Sequence, residues 1–340
     1  MMRSSRSIPE FPPQIRPFQA RRDLSSVADL IELCFSDTLT ADGLRYIQQM
    51  RQEARQQWSI QWGLPWHDYA SIPPAGFVWE QKGKMVGNVT ILPFYAPKGV
   101  EYLIANVAVH PDFRQQGIGK LLTQRALYYI HQKGAKVAWL HVRDDNPIAI
   151  HLYTELGFQE RMRRTSWHYP ALDDAQASPP LRAVSFLPSP GVTISPRAAS
   201  EWHQHQIWLS NTYPEQYSWH LSFHKGCFKP GLLGWFMSSW NNTQLRHWSV
   251  YLDGKLSGVV SLEFTAERKR ILWLALDPLH EQDVAYAAGS FILRTLPNKS
   301  KIFLDYPAYQ AVAPLEALGF TAEQTLIWMS RDTLLPPKTL

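Results

Sequence analysis

Two cysteines in 340 residues, Cys34 and Cys227, are too few for a disulfide framework or a cysteine-rich metal centre. They read as small buried hydrophobes, and no metal is expected. No run approaches the roughly 18 apolar residues of a membrane-spanning helix. The segment Met1 to Pro13 carries arginines but no apolar signal core, so a cytoplasmic chain without a membrane partner is expected. Charge is sparse as well. Charged residues make up 19% of the chain and the net charge is +5, a balance that suits an anionic ligand and does not call for nucleic acid. What is plentiful is apolar and aromatic: 45% hydrophobic residues exclude disorder for most of the chain, and fourteen tryptophans are an unusual number. The length suits two domains of ordinary size.

Turn chemistry divides the chain. Residues 1–13 form a loose arm rich in Arg, Ser and Pro. A linker over 171–191 is marked by Pro179, Pro180, Pro188 and Pro190, although the apolar stretch Leu181 to Leu187 within it could be a strand. The flanking domains, 14–170 and 192–335, repeat one pattern. Gly83 to Gly87 matches Gly254 to Gly258 as a glycine hairpin, Ala105 to Pro111 matches Leu272 to Pro278, and Leu156-Gly157-Phe158 matches Leu318-Gly319-Phe320. Three matches in one order, at offsets that drift by only a few residues, predict a duplicated fold.

Within the first copy the order is strand hairpin, strand, helix, strand, helix, strand. Ile118, Leu121, Leu122, Ala126, Tyr129 and Ile130 recur at helical spacing after Gly117, and Gly134 stops that helix. Lys136 to Val142 reads as a buried strand. Asn146-Pro147 caps a short helix ending at Gly157. A crossover helix between strands implies an α/β fold whose mixed sheet contains a parallel pair.

The segment Arg114-Gln115-Gln116-Gly117-Ile118-Gly119-Lys120 lies between the apolar strand and the first of these helices. Glycines there permit a sharp turn, and successive N–H groups with the positive end of a helix suit a phosphate. The segment is not a P-loop, because Leu121 follows Lys120 where Ser or Thr belongs, and Leu122 occupies the third glycine position of a dinucleotide fingerprint.

Together with Asn146 to Phe158, which reads Asn-x-x-Ala-x-x-x-Tyr-x-x-x-Gly-Phe, this loop resembles the GNAT family of acetyl-CoA-dependent N-acetyltransferases, above all those acting on protein N-termini. The resemblance covers about residues 14 to 170 and implies the following roles. The strand bearing Val107, Ala108 and Val109 splays from its neighbour to receive the pantetheine arm and the thioester oxygen. Arg114, Gln115, Gln116, Gly117, Ile118, Gly119 and Lys120 hold the pyrophosphate, and Asn146 contacts the cofactor arm as well as capping its helix. Tyr153 is the general acid for the departing thiolate, or else a core residue at helical spacing. His141 is the base for the incoming amine, although a His in an apolar strand is ordinarily a satisfied core residue.

The implied reaction moves an acetyl group from acetyl-CoA to a primary amine of a peptide or a small molecule. An aminoglycoside or polyamine acceptor, or a non-catalytic acyl-CoA sensor, are the alternatives. In the second copy Glu281, Val284 and Tyr286 replace Arg114, Gly117 and Gly119, and Leu315 replaces Tyr153, so a degenerate copy without cofactor is expected. Trp58, Trp62 and Trp66 fall where the fold forms its acceptor wall. Trp202, Trp208, Trp219, Trp235, Trp240 and Trp248 crowd the matching region of the second copy, and the surplus reads either as an aromatic inter-domain core or as part of an apolar acceptor pocket.

Overall fold

The computed structural model describes residues 10–39, 41–55, 75–96, 99–170, 191–215, 221, 225–240, 243–265, 269–296 and 301–333. The linker 171–190, residues 1–9 of the arm, and Trp58, Trp62, Trp66 and Trp219 lie outside them.

The first half contains β1 (Ile15–Pro17), α1 (Ala20–Phe35), α2 (Ala41–Arg55), β2 (Ala75–Gln81), β3 (Lys84–Ala96), β4 (Gly99–Val109), α3 (Ile118–Gln132), β5 (Val137–Arg143), α4 (Pro147–Glu155) and β6 (Gln159–Tyr169). The second contains β7 (Val192–Pro196), α5 (Trp202–Thr212), α6 (Leu232–Trp240), β8 (Gln244–Leu252), β9 (Lys255–Phe264), β10 (Arg270–Leu276), α7 (Glu281–Thr295), β11 (Ile302–Pro307), α8 (Val312–Ala317) and β12 (Thr321–Asp332).

The duplication is visible turn by turn. Lys82 and Gly83 at the tip of β2–β3, and Asp253 and Gly254 at the tip of β8–β9, all have positive φ, as a two-residue hairpin matched to strand twist requires. Both hairpins carry a register shift next to the turn, at Trp79/Glu80 and at Val250/Tyr251. Helices α4 and α8 end in the same six-residue motif. Phe158 N–H reaches Tyr153 O and Phe320 N–H reaches Leu315 O, both at 3.0 Å, around the left-handed Gly157 and Gly319.

Two compact units result, Met1–Arg161 with Ile327–Leu340, and Met162–Leu326. The first has the sheet order β1-β2-β3-β4-β5-β12, and the second β6-β11-β10-β9-β8-β7. Each unit is therefore closed by a strand that follows the last helix of the other sequence half. In the first, Thr333 N–H donates to Lys136 O at 2.9 Å, Arg331 donates to Leu156 O, and Ile327 and Met329 join the core. In the second, β6 pairs antiparallel with β11 from Arg164↔Pro307 to Tyr169↔Ile302.

In the first unit the core on one sheet face joins Val86, Ile104, Ala138, Leu140 and Val142 to Ile118, Leu122, Ala126 and Ile130 of α3 and Tyr153 of α4. On the other face Val78 meets Leu24, Val27, Ala28 and Ile31 of α1 and Ile47 and Met50 of α2. Because side chains alternate along β5, Trp139 and His141 fall on the face opposite Ala138, Leu140 and Val142. No described helix is long and apolar enough to cross a membrane.

Candidate active site

Strands β4 and β5 run parallel and pair only at Tyr102↔Ala138, Leu103↔Trp139 and Ile104↔Leu140. Beyond Ile104 they part. On its other edge β4 stays paired with β3, through a bulge: Asn88 faces Ala108 and Thr90 faces Ala105, so Val89 stands against both Asn106 and Val107. Asn106 takes the left-handed conformation there, with φ 50°. His110 N–H donates to Val86 O at 2.9 Å, which turns the backbone groups of Ala108 and His110 toward β3. Those of Val107 and Val109 turn toward the gap. The Val109 carbonyl accepts from Cys34 Sγ and from Arg114 Nε, both at 3.2 Å.

The loop into α3 supplies the second part. Gln115 has φ 62° and Gly117 φ 75°, and the first α-helical hydrogen bond runs from Leu121 N–H to Gly117 O at 3.0 Å. The N–H groups of Ile118, Gly119 and Lys120 precede it and have no helical acceptor. A side chain at Gly117 would stand in open space. One at Gly119 would begin 3.7 Å from Val109 and 3.8 Å from Leu152, so the first turn of α3 lies between β4 and α4. Lys120 Nζ and Glu155 Oε2, 3.3 Å apart, tie the two helices. Oriented N–H groups, a helix dipole and a lysine meet at one spot and form a cradle of hydrogen-bond donors. Gln116 is exposed in the same loop.

Asn146 caps α4, its Oδ1 accepting from Ala149 N–H at 3.1 Å. Tyr153, about two turns beyond this cap, is 7% exposed and packs edge-on to Phe158 at 6.0 Å. Its hydroxyl makes no hydrogen bond among the described residues, and burial raises its pKa above the ordinary phenol value. His141 is half-buried on the opposite face, its ring 4.9 Å from that of Trp328. Burial lowers its pKa to about 4, so it is a neutral imidazole at neutral pH. Beside it, Trp139 Nε1 donates to Glu101 Oε2 at 2.5 Å. Sequence reasoning noticed Asn106 only as a polar residue in an apolar run, and gave no role to Asn88, Cys34 or Tyr46, all of which touch the β4 bulge or the Val109 carbonyl. The signal for Asn88 was a buried amide in an apolar strand, 1% exposed.

The second unit repeats the gap and fills it. Strands β10 and β11 pair only at Arg270↔Ile302 and Ile271↔Phe303. Asp277 N–H donates to Ser257 O, which turns Leu274 and Leu276 toward the gap as Val107 and Val109 are turned. Leu274 N–H donates to the Tyr213 hydroxyl. Arg164, 3% exposed, pairs with Asp305 and donates to Thr212 O at 2.8 Å. At the start of α7 the Glu281 side chain accepts from Tyr306 OH at 2.9 Å, so an acidic residue stands at that helix end. Trp208 and Trp273 belong to the core around Tyr213.

A gap between parallel strands beside a crossover helix, built twice and with a glycine start only in the first unit, is the architecture of an acyl-CoA N-acyltransferase fold. The crystal structure of a GCN5-related N-acetyltransferase from Sphaerobacter thermophilus superimposes over 95% of this chain and 97% of that one, with TM-score 0.53 and 13% identity. Residues 44–158 match the acetyltransferase (GNAT) family model. The ribosomal protein bS18-alanine N-acetyltransferase of Escherichia coli K12 is 38% identical over 73 residues, 22% of this chain and 49% of that protein. Mycothiol acetyltransferase of Tsukamurella paurometabola is 39% identical over 61 residues, 18% of this chain and 21% of that protein. The chain thus spans about half the length or less of these curated relatives. Among the described residues no cluster of three or more His, Cys, Asp and Glu side chains could hold a metal ion.

Proposed function

We propose that this protein is a cytoplasmic N-acetyltransferase that moves an acetyl group from acetyl-CoA to a primary amine, of a peptide N-terminus or a small molecule, in its first unit alone. The observation that carries this reading is the unpaired β4 edge at Val107 set beside the N–H cradle of Gln115 to Lys120. Acetyl-CoA would supply the activated acyl group.

The chain's own residues then divide the work. The cradle holds the diphosphate, and Val107, Ala108 and Val109 align the pantetheine arm along the β4 edge. Val107 N–H donates to the thioester oxygen, where one such donor is typically worth about 10²–10³ in rate. The Tyr153 hydroxyl, protonated at any physiological pH, delivers its proton to the departing sulfur. His141 lies on the other face, and the acceptor enters from there. With its pKa near 4 it takes a proton from the nitrogen only after attack, when that nitrogen is positively charged and acidic. No covalent enzyme intermediate is needed. Holding the two substrates together supplies much of the acceleration.

The test is a titration with acetyl-CoA followed by a screen of amines and N-terminal peptides for CoA release. Binding lost on replacing Gly117 and Gly119 with bulky residues, and release with at least one amine, support the reading. An absence of binding removes it. Binding without release from any amine leaves the sensor.

A further inference from the structure

We propose that Asn88 and Tyr46 are positioning residues that clamp the β4 bulge from two sides and so aim the Val107 N–H into the β4–β5 gap. This inference rests on the acetyltransferase reading and adds to it residues that never touch the substrate.

The bulge has an inherent cost. It gives up ladder pairing at Val89 and puts a non-glycine residue, Asn106, at φ 50°. Two side chains hold it in place. Asn88, on β3 and 1% exposed, donates from Nδ2 to the Asn106 carbonyl at 3.0 Å, satisfying an acceptor that the shifted register leaves without its ladder partner. The same nitrogen lies 3.3 Å from Thr90 Oγ1, so the amide bridges both sides of the register shift. From α2, the Tyr46 hydroxyl accepts from Asn106 Nδ2 at 3.4 Å. Burial raises the Tyr46 pKa to about 12, which keeps that hydroxyl neutral. The Tyr46 ring, with Phe18, Leu24, Val27, Met50, Ala75 and Thr90, lines a small apolar cavity. Asn106 is thus held through its main chain by one strand and through its side chain by a helix.

The second unit is an internal control. Gly258↔Leu276 and Val259↔Ala275 repeat the register of Gly87↔Val109 and Asn88↔Ala108. Val259 therefore stands at the Asn88 position and Trp273 at the Asn106 position. There β9 and β10 pair without a shift from Gly258 to Phe264. Where the amide is absent, so is the bulge.

The test uses the full chain with Asn88→Asp, Tyr46→Phe, Asn106→Val and Asn106→Gly. Asn88→Asp keeps the shape but puts a carboxylate against a carbonyl, and its kcat should fall by about 10–100-fold while the Kd for CoA moves less than threefold. Tyr46→Phe should lose a few-fold in kcat. Asn106→Gly, which retains access to the left-handed turn, should lose less than Asn106→Val. Amide hydrogen exchange over Asn106 to Ala108, read without any substrate, should rise in Asn88→Asp relative to the remainder of β4. A wild-type chain that neither binds nor releases CoA defeats the acetyltransferase reading, and the exchange measurement still decides the clamp. Unchanged exchange over 106–108, or a kcat loss matched by an equal loss of CoA affinity and a global drop in Tm, overturns the clamp.

Discussion

The Tyr213 hydroxyl accepts a hydrogen bond from the Leu274 N–H at 3.3 Å, on the strand edge that in the first unit is left free at Val107. Tyr213 has no exposed surface and packs edge-on to Trp273 at 5.0 Å. The second gap is closed by a residue that also belongs to the core, and Glu281 occupies its helix end.

The acetyltransferase reading predicts one CoA per chain. Calorimetric titration should give a stoichiometry of one for the wild type and also for Tyr213→Phe, because Glu281, Val284 and Tyr286 still obstruct the start of α7. The Phe variant leaves a buried N–H unsatisfied and should lose about 1–3 kcal/mol of stability. A second site in either protein would contradict the closed-gap geometry.

Gly117 and Gly119 separate backbone conformation from space. Gly117→Ala places a Cβ in a left-handed residue, at a cost of roughly 1–2 kcal/mol, although nothing lies within 4 Å of that atom. Gly119→Leu meets Val109 and Leu152 and covers the cradle. The expected outcome is at least tenfold weaker CoA binding for Gly119→Leu, with a smaller loss for Gly117→Ala, measured by titration alongside thermal melts.

Tyr153→Phe should fold as the wild type does, since its hydroxyl makes no hydrogen bond among the described residues and the ring keeps its contact with Phe158. Its affinity for CoA should be unchanged. Its kcat should fall by about 10²–10⁴, the usual range for a positioned acid. Retained turnover would assign the proton to another group.

Two opposing pH dependences of stability overlap below about pH 7. His141, His205 and His247 are held neutral by burial, with pKa values lowered to about 4, 2 and 3 from an ordinary 6.5. The unfolded chain binds their protons first, so stability is lost as pH falls below 6.5. Glu263 behaves oppositely. Burial raises its pKa from 4.5 to about 7, so the folded chain keeps a proton that the unfolded chain releases, and stability is lost as pH rises from 4.5 through 7. Glu263→Gln preserves an acceptor for Trp273 Nε1 and should raise Tm at pH 8 but not at pH 4.5. Equal shifts at both values would show that Glu263 ionises normally.

The repeat and the cradle were legible because both are written in local turn chemistry. Gly83, Gly157, Gly254 and Gly319 sit at positive φ, where only a few residue types are comfortable, and a single sequence displays them. The strand exchange was not legible. A run such as Gln159 to Tyr169 records which faces are apolar, but nothing in its period says whether Lys136 or Asp305 will lie beside it. The bulge clamp was half legible: Asn106 interrupts an apolar run visibly, whereas its partners lie on β3 and α2 at unrelated positions. The Trp surplus resolves partly. Trp208 is a core residue and Trp202 and Trp248 are half-buried, while Trp58, Trp62, Trp66 and Trp219 lie outside the described residues.

Strand β12 also sets an order of events. Synthesis proceeds from the N-terminus, and domains generally fold as they emerge. Here the sheet that bears Val107 and His141 receives its closing strand only after residues 321–332 have been made. Until then the β5 edge waits on a nascent chain with its backbone groups exposed, and β6 waits for β11. The second copy is translated before β12 is complete, so a truncation that removes it also removes the last strand of the first unit's sheet.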